Sequence, residues 1–156
     1  MDTYDDNLND LLNRVYRSLE KLEEDTLRCV KNISITMSEL HMLEAIAQAG
    51  NGEPTSVSAI SEFLGIRLPS ATLSINRLIR KGYVTKERGS EDKRIVIVKL
   101  TRKGERVEHA HRYFHRNMIR SLTNELDAEE KAALEKSLIK LNAFMQKKIE
   151  KLEDKG

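Results

Sequence analysis

Three of the four histidines fall within seven residues of one another, at His109, His111 and His115. His111 and His115 are four positions apart, so on a helix their rings would point the same way and could share one ligand. Imidazole nitrogens bind divalent metals such as zinc, and when buried they also form hydrogen bonds with carboxylates. The spacing therefore predicts either a ligand site or a hydrogen-bonded polar cluster. Partial burial is expected because an apolar stripe runs beside these histidines, at Val107, Ala110, Phe114 and Met118.

A second chemically informative stretch is basic, and it runs from Asn76 to Val98. Its pattern predicts a helix ended by Gly82, a strand, a charged hairpin tip and a second, β-branched strand. Between Arg67 and Arg106 there are twelve Lys and Arg residues against four Asp and Glu, whereas the rest of the chain has fifteen against twenty-one. A helix followed by such a hairpin can enter a DNA major groove while the hairpin tip reaches the neighbouring backbone or minor groove. The charge distribution therefore predicts a nucleic-acid reader, without indicating which base sequence it reads.

The chain has no residue arrangement typical of catalysis: no Ser/His/Asp set, no glycine-rich phosphate loop and no cysteine cluster. We therefore expect no enzymatic activity and no required cofactor. Two other classes stay open, a dimeric adaptor that uses the hairpin for protein contacts and a metal-dependent hydrolase that uses the histidine pair. Salt-dependent DNA affinity would argue against the adaptor, and the absence of turnover in an esterase or phosphatase screen would argue against the hydrolase.

The 156 residues suit a single domain with a modest core. Aromatic residues make up 4% of the chain and charged residues 33%, which favours an elongated helical protein over a compact enzyme with an apolar pocket. No stretch approaches the roughly 18 apolar residues of a membrane span, and the acidic N-terminus is unlike a signal peptide. Cys29 is the one cysteine of the sequence, so no disulfide can form within the chain. These features predict a cytoplasmic protein that does not bind membranes.

Helical periodicity and capping signals define the elements that carry these residues. Thr36 and Glu39 form a capping-box pattern before the second helix, and Asp127 and Glu130 form another before the last helix. Pro69 stands at the first helical position of the fourth helix. Two strands, at about 83–87 and 95–100, form the hairpin. The six predicted helices cover about 8–27, 40–49, 57–64, 69–81, 102–122 and 128–152.

The first and last predicted helices each have an apolar stripe without an obvious partner in the chain. In a small protein such faces are usually buried against a second copy. We therefore predict a homodimer; the alternative is that the two helices pack on each other within one subunit. The residues expected at the dimer contact are Leu12, Val15, Leu19, Leu138, Leu141 and Met145.

The third and fourth helices and the hairpin resemble the winged helix-turn-helix of the MarR family of bacterial transcription regulators. The matching segments are Asn76 to Val84, the D-x-R pattern from Asp92 to Arg94, and the L-T-x-K-G pattern from Leu100 to Gly104. The order of elements extends this resemblance over essentially the whole chain, as a single MarR-type domain. It implies a mainly α fold with a two- or three-stranded β-wing, in which a winged helix-turn-helix at about 36–101 is flanked by dimerisation helices at about 5–30 and 102–153.

The resemblance also implies an obligate homodimer that binds pseudo-palindromic double-stranded DNA and usually represses transcription. On a helical wheel the fourth helix turns Ala71, Ile75 and Leu78 inward, so its opposite face is predicted to meet the DNA. By resemblance, Arg94 enters the minor groove while Asp92 holds its guanidinium in a paired fork. The predicted DNA contacts are Pro69, Ser70, Thr72, Leu73, Asn76, Arg77, Arg88, Asp92, Lys93 and Arg94.

Segments around the histidines resemble two subfamilies. Glu23 to Arg28, Ile33 to Ile35 and His111 to Met118 resemble the fatty-acid-biosynthesis repressors of low-GC Gram-positive bacteria, which bind DNA more tightly with long-chain acyl-carrier protein. The zinc-uptake repressors of streptococci and lactococci place four zinc ligands at the positions of Glu23, His41, His111 and His115. Cys29 matches a ligand of their second zinc site, but Leu40 and Ala110 stand where that site would need carboxylates.

We therefore predict a homodimeric repressor of fatty-acid-biosynthesis genes that responds to an acyl effector, with acyl-carrier protein as a further partner. The alternative is a repressor that responds to zinc or to another small ligand at the four-residue site. A third interpretation of that site is a hydrogen-bonded polar cluster with no effector.

Overall fold

The computed structural model describes residues 3–29, 33–89, 92 and 94–153. Within this part of the chain the predicted fold class is confirmed, because the structure is mainly helical and carries one small β-sheet. The elements are α1 (Thr3–Cys29), α2 (Met37–Ala49), β1 (Thr55–Ser56), α3 (Val57–Leu64), α4 (Leu68–Arg80), β2 (Val84–Arg88), β3 (Val96–Leu100), α5 (Arg102–Asn124) and α6 (Ala128–Glu153).

The chain divides into two compact units, Met1–Arg112 and Tyr113–Gly156. The first unit contains the sheet and the hydrophobic core. The second unit consists of the later part of α5 together with α6. None of the described helices has the length and apolar character that a membrane crossing requires.

The helix boundaries follow from the caps that the sequence predicts. Thr36 Oγ1 accepts the backbone N–H of Glu39 at 3.2 Å, and the Glu39 carboxylate accepts the N–H of Thr36 at 2.9 Å. The same reciprocal bonds join Asp127 and Glu130 at the start of α6. Both capping boxes are confirmed, and each satisfies backbone N–H groups that the helix itself cannot pair. Before α3 the cap is Ser56, whose Oγ accepts the N–H of the third helical residue at 3.1 Å.

The sheet is antiparallel, with strand order β1-β3-β2. Both long strands begin one residue later than predicted, since β2 starts at Val84 and β3 at Val96. Tyr83 cannot start β2 because its N–H still bonds to Leu78 O at 2.9 Å, closing the end of α4. Gly82, at φ 75°, provides the left-handed turn that this closure needs.

The core lies between α2, α3, α4, the sheet and the start of α5. On α4 the buried residues are Ala71, Ile75 and Leu78, as the helical wheel predicts. Burying this face fixes the rotation of α4 about its own axis, so the opposite face remains exposed. The largest fully buried side chains of the core are Tyr83, Leu40, Leu43, Ile46, Ile60, Ile75, Leu78, Val84 and Val98.

Candidate nucleic-acid interface and histidine cluster

The outer face of α4 combines polar residues with Pro69 and Leu73, and Leu73 is 52% exposed. Asn76 is half-buried, and its Oδ1 accepts a 3.4 Å hydrogen bond from Lys86 Nζ on β2. This contact links the outer face of α4 to the wing. The other predicted contact residues of α4 are also exposed, namely Pro69, Ser70, Thr72 and Arg77.

At the wing tip the Arg94 side chain is 95% exposed. Asp92 Oδ1 accepts the backbone N–H of Arg94 at 2.8 Å and lies 3.8 Å from its Nε. That side-chain distance is too long for the paired fork expected from the family resemblance, so the carboxylate stabilises the turn instead of gripping the guanidinium. Arg88 is exposed on β2. Lys93, the remaining predicted contact, lies outside the described residues.

The start of α5 supplies donors to the end of α4. Thr101 Oγ1 donates to Gly82 O at 2.8 Å, and Lys103 Nζ donates to Lys81 O at 2.9 Å. Carbonyl groups at a helix C-terminus have no partner within their own helix. These two side chains therefore satisfy the end of α4 and fix it to α5.

Gly104 allows this close approach. A Cβ at Gly104 would lie 2.1 Å from Tyr83 O, so a side chain at this position would collide with the backbone that follows α4. The Lys103 ammonium lies 4.0 Å from the centre of the Tyr83 ring, a cation–π contact that reinforces the same junction. The Thr, Lys and Gly of the L-T-x-K-G pattern thus each have a contact at the end of α4.

Glu39 connects α2 to α4. Lys81 Nζ donates to Glu39 Oε2 at 2.7 Å, and the Glu39 residue is 8% exposed. Burial alone would raise the pKa of the Glu39 carboxyl, but the Lys81 ammonium and the Thr36 N–H outweigh burial and hold the pKa below its ordinary value of 4.5. One carboxylate thus caps α2 and also fastens the end of α4.

A separate group in the first unit, which we call the histidine cluster, consists of Glu23, His41, Glu44 and His111. His111 is 4% exposed; its Nδ1 lies 2.8 Å from Glu44 Oε1 and its Nε2 lies 3.8 Å from Glu23 Oε1. His41 Nε2 lies 3.8 Å from the other Glu23 oxygen, and the two imidazole centroids are 6.0 Å apart. Within the first unit the structure therefore brings together Glu23, His41 and His111, which are three of the four predicted site residues. The fourth, His115, belongs to the second unit, where its ring meets Phe114 edge-on.

The histidine cluster places a carboxylate near each nitrogen of the His111 ring. A neutral imidazole has one N–H and can donate to only one of these carboxylates. A metal ion between Nε2 and Glu23 would place a positive charge on that side of the His111 ring. Glu44 at Nδ1 is the kind of partner that orients a metal-binding imidazole. Glu23 and His111 belong to a group of carboxylate and imidazole donors that could hold a divalent metal such as zinc.

Sequence reasoning missed Glu44 and the tertiary contact of Glu39. Glu44 lies three positions after His41, on the same side of α2, and this spacing was the available signal. The Glu39–Lys81 contact joins residues 42 positions apart, so no local pattern reveals it. Leu40 is fully buried in the core and Ala110 is exposed, and neither side chain offers a metal ligand. The Cys29 side chain lies outside the described part of the chain.

The predicted dimerisation residues remain largely uncovered. Leu19 and Leu141 are half-buried. Runs of exposed leucine, valine and methionine on helices are unfavourable in water and indicate a surface that another surface covers. The exposed members of the predicted set are Leu12, Val15, Leu138 and Met145.

Comparison with known proteins gives one consistent set of relatives. The sequence model of the MarR family matches residues 35–96. The multiple antibiotic resistance protein MarR of Salmonella typhimurium is 32% identical over 110 residues, which are 70% of this chain and 74% of that protein. The uncharacterized HTH-type transcriptional regulator YhjH of Bacillus subtilis is 27% identical over 81 residues, and the match spans 45% of its length. Among solved structures, this chain is similar to Streptococcus pneumoniae FabT, whose crystal structure is in complex with DNA. The two sequences are 30% identical, and the TM-score is 0.84, with 91% of this chain and 97% of the FabT chain covered.

Proposed function

We propose that this chain, which belongs to the MarR family of transcriptional regulators, represses fatty-acid-biosynthesis genes by binding a pseudo-palindromic operator as a homodimer. The observation that carries this proposal is the exposed outer face of α4 beside the exposed Arg94 of the wing, in a chain similar to the DNA-bound FabT of Streptococcus pneumoniae.

The chemistry of α4 suits a major groove. A helix about 10–12 Å across fits a groove about 12 Å wide, and the groove presents thymine methyl groups and base-edge acceptors. Leu73 would contact thymine methyls, which gives a reason for an exposed leucine at this position. Because Lys86 donates to Asn76 Oδ1, the Asn76 amide N–H groups are the part left to donate to a base. Arg94 would enter the minor groove from the wing.

A dimer is needed because one α4 helix can read only one half-site. In related architectures the half-sites lie about 34 Å apart, one turn of the double helix. The uncovered apolar residues of α1 and α6 support the contact between subunits.

For the effector, the resemblance of the α1 and α5 segments to the fatty-acid-biosynthesis repressors favours a long-chain acyl group delivered by acyl-carrier protein. A second candidate is supported by the His111 ring, which has a carboxylate near each nitrogen. In the zinc version of the proposal, Glu23 and His111 bind zinc while Glu44 orients the His111 ring. Zinc bound there would link α1 to α5, and Glu44 would connect α2 to the same site.

The test is operator affinity measured by fluorescence anisotropy on promoters of fatty-acid-synthesis and zinc-uptake genes. Long-chain acyl-carrier protein should strengthen binding to the fatty-acid promoter, and a chelator should have no effect. The zinc version predicts instead that a chelator alters operator affinity and that His111→Ala removes bound zinc. His109→Ala is the matched control, because His109 is an exposed α5 histidine outside the histidine cluster. If neither long-chain acyl-carrier protein nor a chelator changes operator affinity, the interpretation that remains for the histidine cluster is a hydrogen-bonded polar cluster with no effector.

A further inference from the structure

A cavity of about 610 Å³ lies within the first unit, and we call it the α2–α5 cavity. Its walls are the last turn of α2 with the loop that follows, the end of β3 and the first three turns of α5. The α5 residues that line it include Glu105, Glu108 and Arg112, whereas His111 is not among the lining residues. Cavities that bind small organic molecules usually measure about 300–1,000 Å³, so the volume suits such a ligand.

Glu108 is the buried charge of this cavity, with 4% of the residue exposed. Its Oε1 lies 3.4 Å from Arg112 Nε, and its Oε2 lies 3.6 Å from His109 Nε2. Both contacts are long, and the Arg112 and His109 side chains are more than half exposed. Solvated partners at such distances compensate a buried carboxylate only in part. The carboxylate therefore favours an additional positive group on the cavity side.

The other residues that line the cavity also favour a positively charged ligand. Glu53 and Glu105 add two more carboxylates, whereas the Lys99 ammonium is drawn towards Glu87 on β2, 3.6 Å away. The cavity thus has more negative than positive charge, which disfavours an anion. Its apolar wall includes Ile46, Ala47 and Leu100, which a hydrated metal ion would not use.

We propose that the α2–α5 cavity binds an organic monocation, with the ligand's ammonium paired to Glu108 and its apolar body against Ile46 and Leu100. The cavity shares no residue with the histidine cluster, and this proposal does not depend on the proposed operator or effector.

Tryptamine is a suitable probe, because it joins an aromatic body to an ammonium group. The chain contains no tryptophan, so indole fluorescence reports the probe alone. Tryptophol replaces the ammonium with a hydroxyl at nearly the same size, and indole-3-acetate replaces it with a carboxylate. We expect tryptamine to bind at least about tenfold more tightly than tryptophol, and indole-3-acetate to bind least. Equal affinity for tryptamine and tryptophol would overturn the proposal.

Two variants locate the binding. Glu108→Gln keeps the shape of the side chain and removes its charge, so it should abolish the preference for tryptamine over tryptophol. Ala47→Leu fills the cavity without changing a charge, so it should weaken both probes by a similar factor. Glu62→Gln, on α3 and outside the cavity lining, is the matched control and should change neither.

Circular dichroism of each variant would show that it is folded. If Glu108→Gln does not fold, Ala47→Leu still decides the matter, because unchanged tryptamine affinity in that variant would place the probe elsewhere. Retention of the full tryptamine preference by a folded Glu108→Gln protein would also refute the proposal.

Discussion

Gly104→Ala should destabilise the protein although alanine is the better helix former. The added Cβ would lie 2.1 Å from Tyr83 O, whereas an ordinary carbon–oxygen contact is about 3.3 Å or longer. The start of α5 must therefore move by about 1 Å, because the backbone oxygen of Tyr83 cannot rotate away as a side chain could. That movement strains the hydrogen bond from Thr101 N to Tyr83 O, now 2.9 Å long.

The change in the free energy of unfolding caused by Gly104→Ala has three contributions. Overpacking costs about 1–3 kcal/mol, and a weakened hydrogen bond costs about 0.5–1.5 kcal/mol. Replacing glycine by alanine in a helix returns at most about 1 kcal/mol. The net loss is about 2 kcal/mol, which in a protein of this size lowers the melting temperature by roughly 4–8 °C. Thermal or urea unfolding followed by circular dichroism measures it directly.

Gly65 provides a control that separates steric from backbone strain. Gly65 ends α3 at φ 62°, and a Cβ there would meet nothing within 4 Å. Because asparagine tolerates this left-handed conformation better than alanine does, Gly65→Asn should be milder than Gly65→Ala. At Gly104 the order should reverse, since asparagine is larger. A Gly104→Ala protein as stable as the unmodified one would refute the argument.

Three further outcomes can be measured. Arg94→Ala should lower operator affinity at least about tenfold in anisotropy titrations, whereas Lys151→Ala on α6 should not, and equal effects would remove the wing from the interface. Leu141→Glu should split the dimer and abolish operator binding, and light scattering that shows a micromolar monomer for the unmodified chain would contradict this. Lys81→Met should lower stability near neutral pH by about 1 kcal/mol, because the ammonium holds the pKa of Glu39 down. A carboxyl whose pKa is lowered by folding stabilises the folded state at pH values above its unfolded pKa. The difference in unfolding free energy between the unmodified and Lys81→Met proteins should therefore shrink as the pH falls below about 4.5. A difference that persists at lower pH would contradict the stabilising role of the Glu39–Lys81 contact.

Local signals in the sequence were sufficient for most elements of the fold. The capping boxes at Thr36 and Asp127 give the starts of α2 and α6, because a cap depends on residues only three positions apart. The inward face of α4 follows from the helical period alone. By contrast, β1 has two residues and exists because Thr55 pairs with Val98, a partner far away in the chain. Its sequence has no pattern that predicts the pairing.

The candidate sites were predictable in part for the same reason. Spacing drew attention to His111, and family resemblance joined it to Glu23 and His41. The three-residue spacing from His41 was a weak local signal for Glu44, and its contact with His111 appears only when α2 and α5 are packed together. The D-x-R pattern located Arg94 at the wing tip, but the contact made by Asp92 is a turn bond and not a fork. Spacing predicts which residues meet more reliably than it predicts which atoms bond.

α5 carries two buried ionisable residues, Glu108 and His111, and each contributes to a different candidate site. In the histidine cluster His111 lies between Glu23 and Glu44, so a compact ion can be shared among ring nitrogens and carboxylate oxygens. In the α2–α5 cavity Glu108 faces an open volume with apolar walls, which suits a larger organic cation. Since the two sites share no residue, any influence of zinc on tryptamine affinity must pass through the helices that carry both sites, α2 and α5. Such coupling is reciprocal: the factor by which zinc changes tryptamine affinity must equal the factor by which tryptamine changes zinc affinity. Unequal factors would mean that one of the two probes binds at a further site.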